Sequence, residues 1–203
     1  MKTRQTGFSM LEILVTILIL MLGLLGLAGL QTRAQTAEME SYQRAQALIL
    51  ASTMVDVMRV NRRTANCFAV TGAGGTPFVG AAGTGHVGGP IVCNLSTIAE
   101  NTMAINAMDE WNDTLVGASE LKDGTEVGAM IGARGCIRYD ATTELIDPET
   151  GAVMPDTGLY TVVVAWQGLN ETVAPTVNCA NGLYGSEAMR RAVSMSLRLA
   201  ELQ

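Results

Sequence analysis

The chain has 203 residues, 48% hydrophobic and 16% charged, with a mean hydropathy of +0.27. That is too apolar for an average soluble domain, too polar for a multi-span membrane protein, and apolar enough to exclude general disorder. Aromatic residues make up only 4%, His86 is the sole histidine, and the net charge is −6. Most enzymatic and nucleic-acid readings are weakened at once.

The apolar excess sits in one place. After a short basic start, Met1 to Gly7 with Lys2 and Arg4, and the sequence Phe8-Ser-Met-Leu-Glu12, Ile13 to Thr32 form 20 residues without a charge. At 1.5 Å per residue such a helix is about 30 Å long, one bilayer core. Lys2 and Arg4 place the N-terminus in the cytoplasm and the rest of the chain outside. A secretory signal peptide would end in small residues and a cleavage site, whereas Gln31-Thr-Arg33 follows here. Glu12 is the anomaly, because an acid costs about 2.5–3.5 kcal/mol at the bilayer centre and less near the edge. It reads either as an interfacial acid or as one awaiting a cation once the helix leaves lipid, such as a free amine made by cleavage after Gly7. Gly23, Gly26 and Gly29 recur every third residue, which suits close helix packing or a soft point in the helix.

Taken together, Gly7-Phe8-Ser-Met-Leu-Glu12 and the apolar run behind it resemble the class III signal of type IV prepilins and type II secretion pseudopilins. The resemblance implies cleavage between Gly7 and Phe8 by a prepilin peptidase, N-methylation of Phe8, and pairing of Glu12 with the Phe8 amine of a neighbouring subunit during assembly. It implies a pilin-like α+β fold, a long N-terminal helix packed on a globular head with an antiparallel β-sheet. Residues 1–7 would be the cleaved leader, 8–64 the helix (about 8–32 transmembrane) and 65–203 the periplasmic head.

Between Gln31 and Arg63 no Gly or Pro interrupts the helix, and Tyr42, Ala45, Leu48, Ile49, Ser52, Val55 and Met58 recur at three- and four-residue steps as the expected head-packing face. Residues 71–90 contain eight glycines and read as a flexible surface loop. Within it, Gly83, Gly85 and Gly88 make a formal GxGxxG, but no strand is predicted before it and no Gly-Lys-Ser/Thr accompanies it, so nucleotide binding is not expected. Ile98 to Leu121 is predicted helical, with Ile105, Met108, Trp111 and Leu115 as its apolar stripe. Strands are predicted at 136–139, 160–166 and 191–199, the last placing Val193, Met195, Leu197 and Leu199 on one face. That order is α+β rather than βαβ. Gly135-Cys136-Ile137, Tyr160 to Trp166, Arg190-Arg191-Ala-Val193 and the helix through Met58 to Arg62 resemble the PilV family of minor pilins, also called type IV pilus modification proteins.

Cys67, Cys93, Cys136 and Cys179 lie beyond the span, in an expected oxidising periplasm, with no CxxC pair to suggest zinc or thioredoxin-type chemistry. Three pairings are possible. The favoured one joins Cys67 to Cys93 across the Gly-rich loop and Cys136 to Cys179 across the sheet. Catalysis lacks its groups: His86 sits among glycines, and Lys122 is the only lysine outside the leader. The acids Asp140, Glu144, Asp147 and Glu149 lack EF-hand spacing and read as a solvated loop. No catalytic residue, cofactor or metal is predicted.

The resemblance implies a non-enzymatic minor pilin that joins a priming or tip complex of a type IV pilus, starting assembly and supporting twitching motility and attachment. Its partners would be other minor pilins and a tip adhesin, the major pilin, the prepilin peptidase and the inner-membrane assembly platform. It would span the inner membrane once before assembly, then pass to the periplasm and the cell-surface pilus. The alternatives are a type II secretion pseudopilin, with the same signal, or a signal-anchored periplasmic binding module or enzyme. A DNA-uptake pilin is disfavoured because residues 100–171 carry thirteen acids against Lys122, Arg134 and Arg138, a net of −10 that repels phosphate backbones.

Overall fold

The computed structural model describes residues 7, 9–81, 96–117, 121–122, 125–126 and 130–199. Its elements are α1 (Met10–Val60), α2 (Ala65–Phe68), β1 (Val79–Gly80), α3 (Ile98–Val116), β2 (Leu121–Lys122), β3 (Thr125–Glu126), β4 (Arg134–Asp140), β5 (Leu145–Ile146), β6 (Val153–Met154), β7 (Leu159–Gln167) and β8 (Arg190–Arg198). A long apolar N-terminal helix followed by a head with an antiparallel sheet is the α+β, pilin-like arrangement expected.

The chain divides into two compact units, residues 1–41 and 42–203. The first is helical from Met10 on, and its large apolar side chains from Met10 to Leu30 are all exposed. This is the stretch long and apolar enough to cross a membrane. Its hydroxyls are absorbed by the helix itself: Thr16 Oγ1 donates to Ile13 O at 2.8 Å and Thr32 Oγ1 to Ala28 O at 3.0 Å. Gly23, Gly26 and Gly29 all stay helical, and a Cβ at any of them would meet nothing within 4 Å.

The second unit has its own core. The regular helix stops at Val60, short of the expected Thr64: Asn61 leaves the helical region, with φ −100° and ψ 46°, while its backbone N and its Nδ2 both donate to Val57 O, at 3.0 and 2.9 Å. A single 3₁₀ turn at 62–64 and α2 follow. The predicted packing face of the helix holds at Val55 and Met58, which are buried, and is corrected before them. Tyr42, Leu48 and Ile49 are exposed, while Gln43, Ala47, Leu50, Ala51, Met54, Val55 and Met58 are buried. This segment is apolar on both sides, so periodicity could not choose between them. The buried side is the one where small Ala47 and Ala51 let another helix close in: Trp111 Nε1 of α3 donates to Leu50 O at 3.1 Å.

Helix α3 opens on a capping box, Thr97 Oγ1 accepting from Glu100 N while Glu100 Oε2 accepts from Thr97 N at 3.2 Å. It ends at Gly117, whose φ of 79° is the left-handed cap, so it stops before the expected Leu121. The main sheet runs β1-β4-β7-β8, all pairs antiparallel, with Ile137 opposite Val162 and Val164 opposite Val193. Ile137, Tyr160, Val162, Val164, Val193 and Leu197 share the core with α1 and α3. Cys136, Val163 and Ala165 point the other way, into a smaller cluster with Phe78, Cys179 and Tyr184. Both sheet faces are therefore covered, which explains why β7 reads as a continuous apolar run rather than an alternating one.

The Gly-rich stretch needs two corrections. Its first half is no surface loop: Thr71, Gly75, Phe78, Val79 and Gly80 are buried, and a Cβ on Gly80 would lie 2.4 Å from Ala133 O. Glycine serves close backbone approach there, not freedom. A strand also precedes the GxGxxG, namely β1, but it is two residues long and antiparallel to β4, unlike the parallel unit that cradles a dinucleotide. Gly83, Gly85, His86 and Gly88 lie outside the described residues.

Candidate functional site

Two places carry the predicted site residues. The first is the start of α1. Ser9 Oγ accepts from Leu11 N at 3.3 Å, and Ser9 O accepts from Glu12 N at 3.0 Å and Ile13 N at 3.3 Å, so Ser9 starts the helix that runs from Met10. This puts Glu12 in the first helical turn, where a carboxylate is favoured by the helix dipole. Its neighbours Met10, Leu11, Ile13 and Leu14 are all at least half exposed, and no ion pair reaches Glu12 among the described residues. Gly7 is exposed with room around it. Phe8 lies outside the described residues. Within a single chain this end of the helix is thus an acid ringed by apolar side chains.

The second is the disulfide-stapled face of the head. Cys136 of β4 and Cys179 are bonded. Cys67, in α2, is disulfide-bonded too, and Cys93 lies outside the described residues. The segment 168–189 forms a strap over the second sheet face. Arg190, only 2% exposed, anchors it by donating to Val177 O at 2.7 Å, Pro175 O at 3.1 Å and Glu187 Oε2 at 2.7 Å. Glu187 also accepts from Gly182 N at 2.6 Å; that bond first, and Arg190 second, hold its carboxyl below the usual carboxylate range. The Arg134 guanidinium lies between Phe78 and Tyr184, 5.5 and 4.7 Å from the ring centroids, and Arg134 Nε donates to Ala81 O at 2.9 Å.

Three of the four acids of the predicted solvated loop, Asp140, Glu144 and Asp147, accept hydrogen bonds from the loop itself. Asp140 Oδ1 accepts from Thr142 N at 3.1 Å, Asp147 Oδ1 from Glu149 N at 2.8 Å, and Glu144 Oε1 from Tyr139 Oη at 2.5 Å and Asp156 N at 3.1 Å. Among the described residues, no three His, Cys, Asp or Glu side chains gather to hold a metal. Tyr139 and Tyr160 pair across β4 and β7 with centroids 4.6 Å apart. Burial first, then Glu144, pushes the Tyr139 phenol up. Burial first, then Asp156, pushes up the Tyr160 phenol, which donates to Asn66 Oδ1.

Sequence reasoning missed the hairpin β5–β6. Its signal was present, two apolar pairs around the turn Asp147-Pro-Glu-Thr-Gly151.

The comparisons place these observations. Residues 2–28 match the family described as the prokaryotic N-terminal methylation motif. No curated protein and no solved structure matches the chain. The motif, covering Phe8, Glu12 and most of the apolar run, supports a membrane-anchored, type IV pilin-like or pseudopilin protein, a structural rather than enzymatic class with the machinery of pili or secretion as its general partners.

Proposed function

We propose that the chain is a minor pilin of a type IV pilus, PilV-like, that joins the priming or tip complex and so starts assembly, supporting twitching motility and attachment. One observation carries the reading: Glu12 opens an apolar helix that fits a membrane, inside a methylation motif, with no ion-pair partner of its own among the described residues. A carboxylate in that setting gains most from a cation brought by a neighbour, because the low dielectric strengthens the pair. Cleavage after Gly7 and N-methylation at Phe8 supply that cation. Val15 to Leu30 then pack among the helices of other subunits, and Glu12 sets the register. The disulfides of the head suit an oxidising periplasm.

The test is Glu12→Val. The variant is expected to insert and to be processed after Gly7, yet to be missing from sheared surface filaments. Normal filament entry would remove the registry role. A protein processed in the membrane but absent from filaments in its native form would favour the secretion pseudopilin.

A further inference from the structure

Leu145, Ile146, Val153 and Met154, the four residues of hairpin β5–β6, are 46%, 65%, 60% and 39% exposed. The hairpin is firmly built: Asp147 N donates to Ala152 O at 2.8 Å, Gly151 N to Asp147 O at 2.9 Å, and Leu145 N to Thr157 Oγ1 at 2.9 Å. The register sets Ile146 beside Val153 on one face of the hairpin and Leu145 beside Met154 on the other, so Ile146 and Val153 make an exposed apolar pair on an acidic head. The hairpin turn carries Glu149, exposed and with no side-chain partner among the described residues.

The complementary surface is on the same chain. Val60, 82% exposed, ends α1, and Arg62 beside it is exposed with no acid within reach among the described residues. Arg59 and Arg63 flank it, each already facing an acid, Asp56 at 3.1 Å and Glu100 at 3.9 Å. The two surfaces border each other, since Asn66 just beyond Arg62 donates to Asp156 just beyond β6. Adjacent patches of opposite charge suit a two-fold pair, in which each copy offers its acidic hairpin to the basic turn of the other. We propose that the β5–β6 hairpin docks on the Val60–Arg62 surface of a second copy of this chain, with Ile146 and Val153 against Val60 and Glu149 against Arg62.

The test uses the full chain in cell membranes, as two differently tagged copies, with a photo-crosslinking amino acid at position 146. The expected product is an adduct between the two tags that maps to the peptide around Val60. Arg62→Glu should lower its yield about fivefold, the effect of two modest exposed ion pairs, and adding Glu149→Arg to Arg62→Glu should restore it. The proposal is overturned if adducts form only with other proteins or not at all. A yield indifferent to Arg62→Glu, or not restored by the charge swap, overturns it equally.

Discussion

Gly135 lies in β4 directly beneath the indole of Trp111, and a Cβ there would come within 2.4 Å of the ring and 2.7 Å of Leu115 Cδ1. The ring cannot retreat, because its Nε1 is tied to Leu50 O on α1. One glycine therefore sets how closely α3 lies on the sheet. Gly135→Ala is expected to destabilise the head by about 1–3 kcal/mol through overpacking. Gly74→Ala, where a Cβ would meet nothing within 4 Å, should be close to neutral. Urea midpoints of the purified full chain in detergent compare the two; equal midpoints would show that the Trp111 contact does not limit packing.

At the scale of elements, the strap 168–189 is held by charge as well as by Cys136–Cys179. The carboxyls of Glu187, Glu100, Asp140 and Asp147 all lie below their ordinary values, each through hydrogen bonds it accepts: Glu187 first from Gly182, Glu100 from Ser96, Asp140 from Thr142 and Asp147 from Glu149. A folded-state pKa below the unfolded one stabilises fully above the unfolded value, and the gain is lost as pH falls through the folded value. The melting temperature is thus expected to hold from neutral pH to about 4, the ordinary carboxylate value, and to fall below it. Glu187→Gln should lower the neutral melting temperature and flatten the acid limb; an unchanged profile would mean that Glu187 does not anchor the strap.

The sequence was uneven as a guide to these elements, for physical reasons. Tyr160 to Trp166 and Arg191 to Leu199 were legible as strands because their β-branched runs and alternation follow from burial on the sheet. The packing side of the first turns beyond residue 41 was not, since Tyr42, Leu48 and Ile49 are as apolar as the side that is buried. Glycine misled at Gly75 and Gly80, which read as loop and proved to be points of close backbone approach. The Arg190 anchor was invisible, because its partners are carbonyls of a strap with no regular structure. Of the predicted site residues, Glu12 lies in the first turn of the helix.

At the scale of the whole molecule, the two units divide two tasks. From Met10 to Leu30 the helix of the first unit exposes its large apolar side chains, so they need lipid or other helices around them. Residues from 42 on enclose their own core, cross-linked by a disulfide, and leave the acidic 140–156 region and its apolar hairpin on the outside. On the proposed function, a helix that passes from bilayer to filament gains a neighbour's cation at position 12, beyond the helix-dipole stabilisation that a permanent anchor would share. The central claim is that this helix is processed and enters a filament. Mass spectrometry of the N-terminal peptide, from sheared surface filaments and from membranes in parallel, tests it most directly. The account predicts a peptide beginning at N-methylated Phe8 in the filaments, at low abundance beside a major pilin. A protein that still begins at Met1 in the membrane and is missing from the filaments would contradict it.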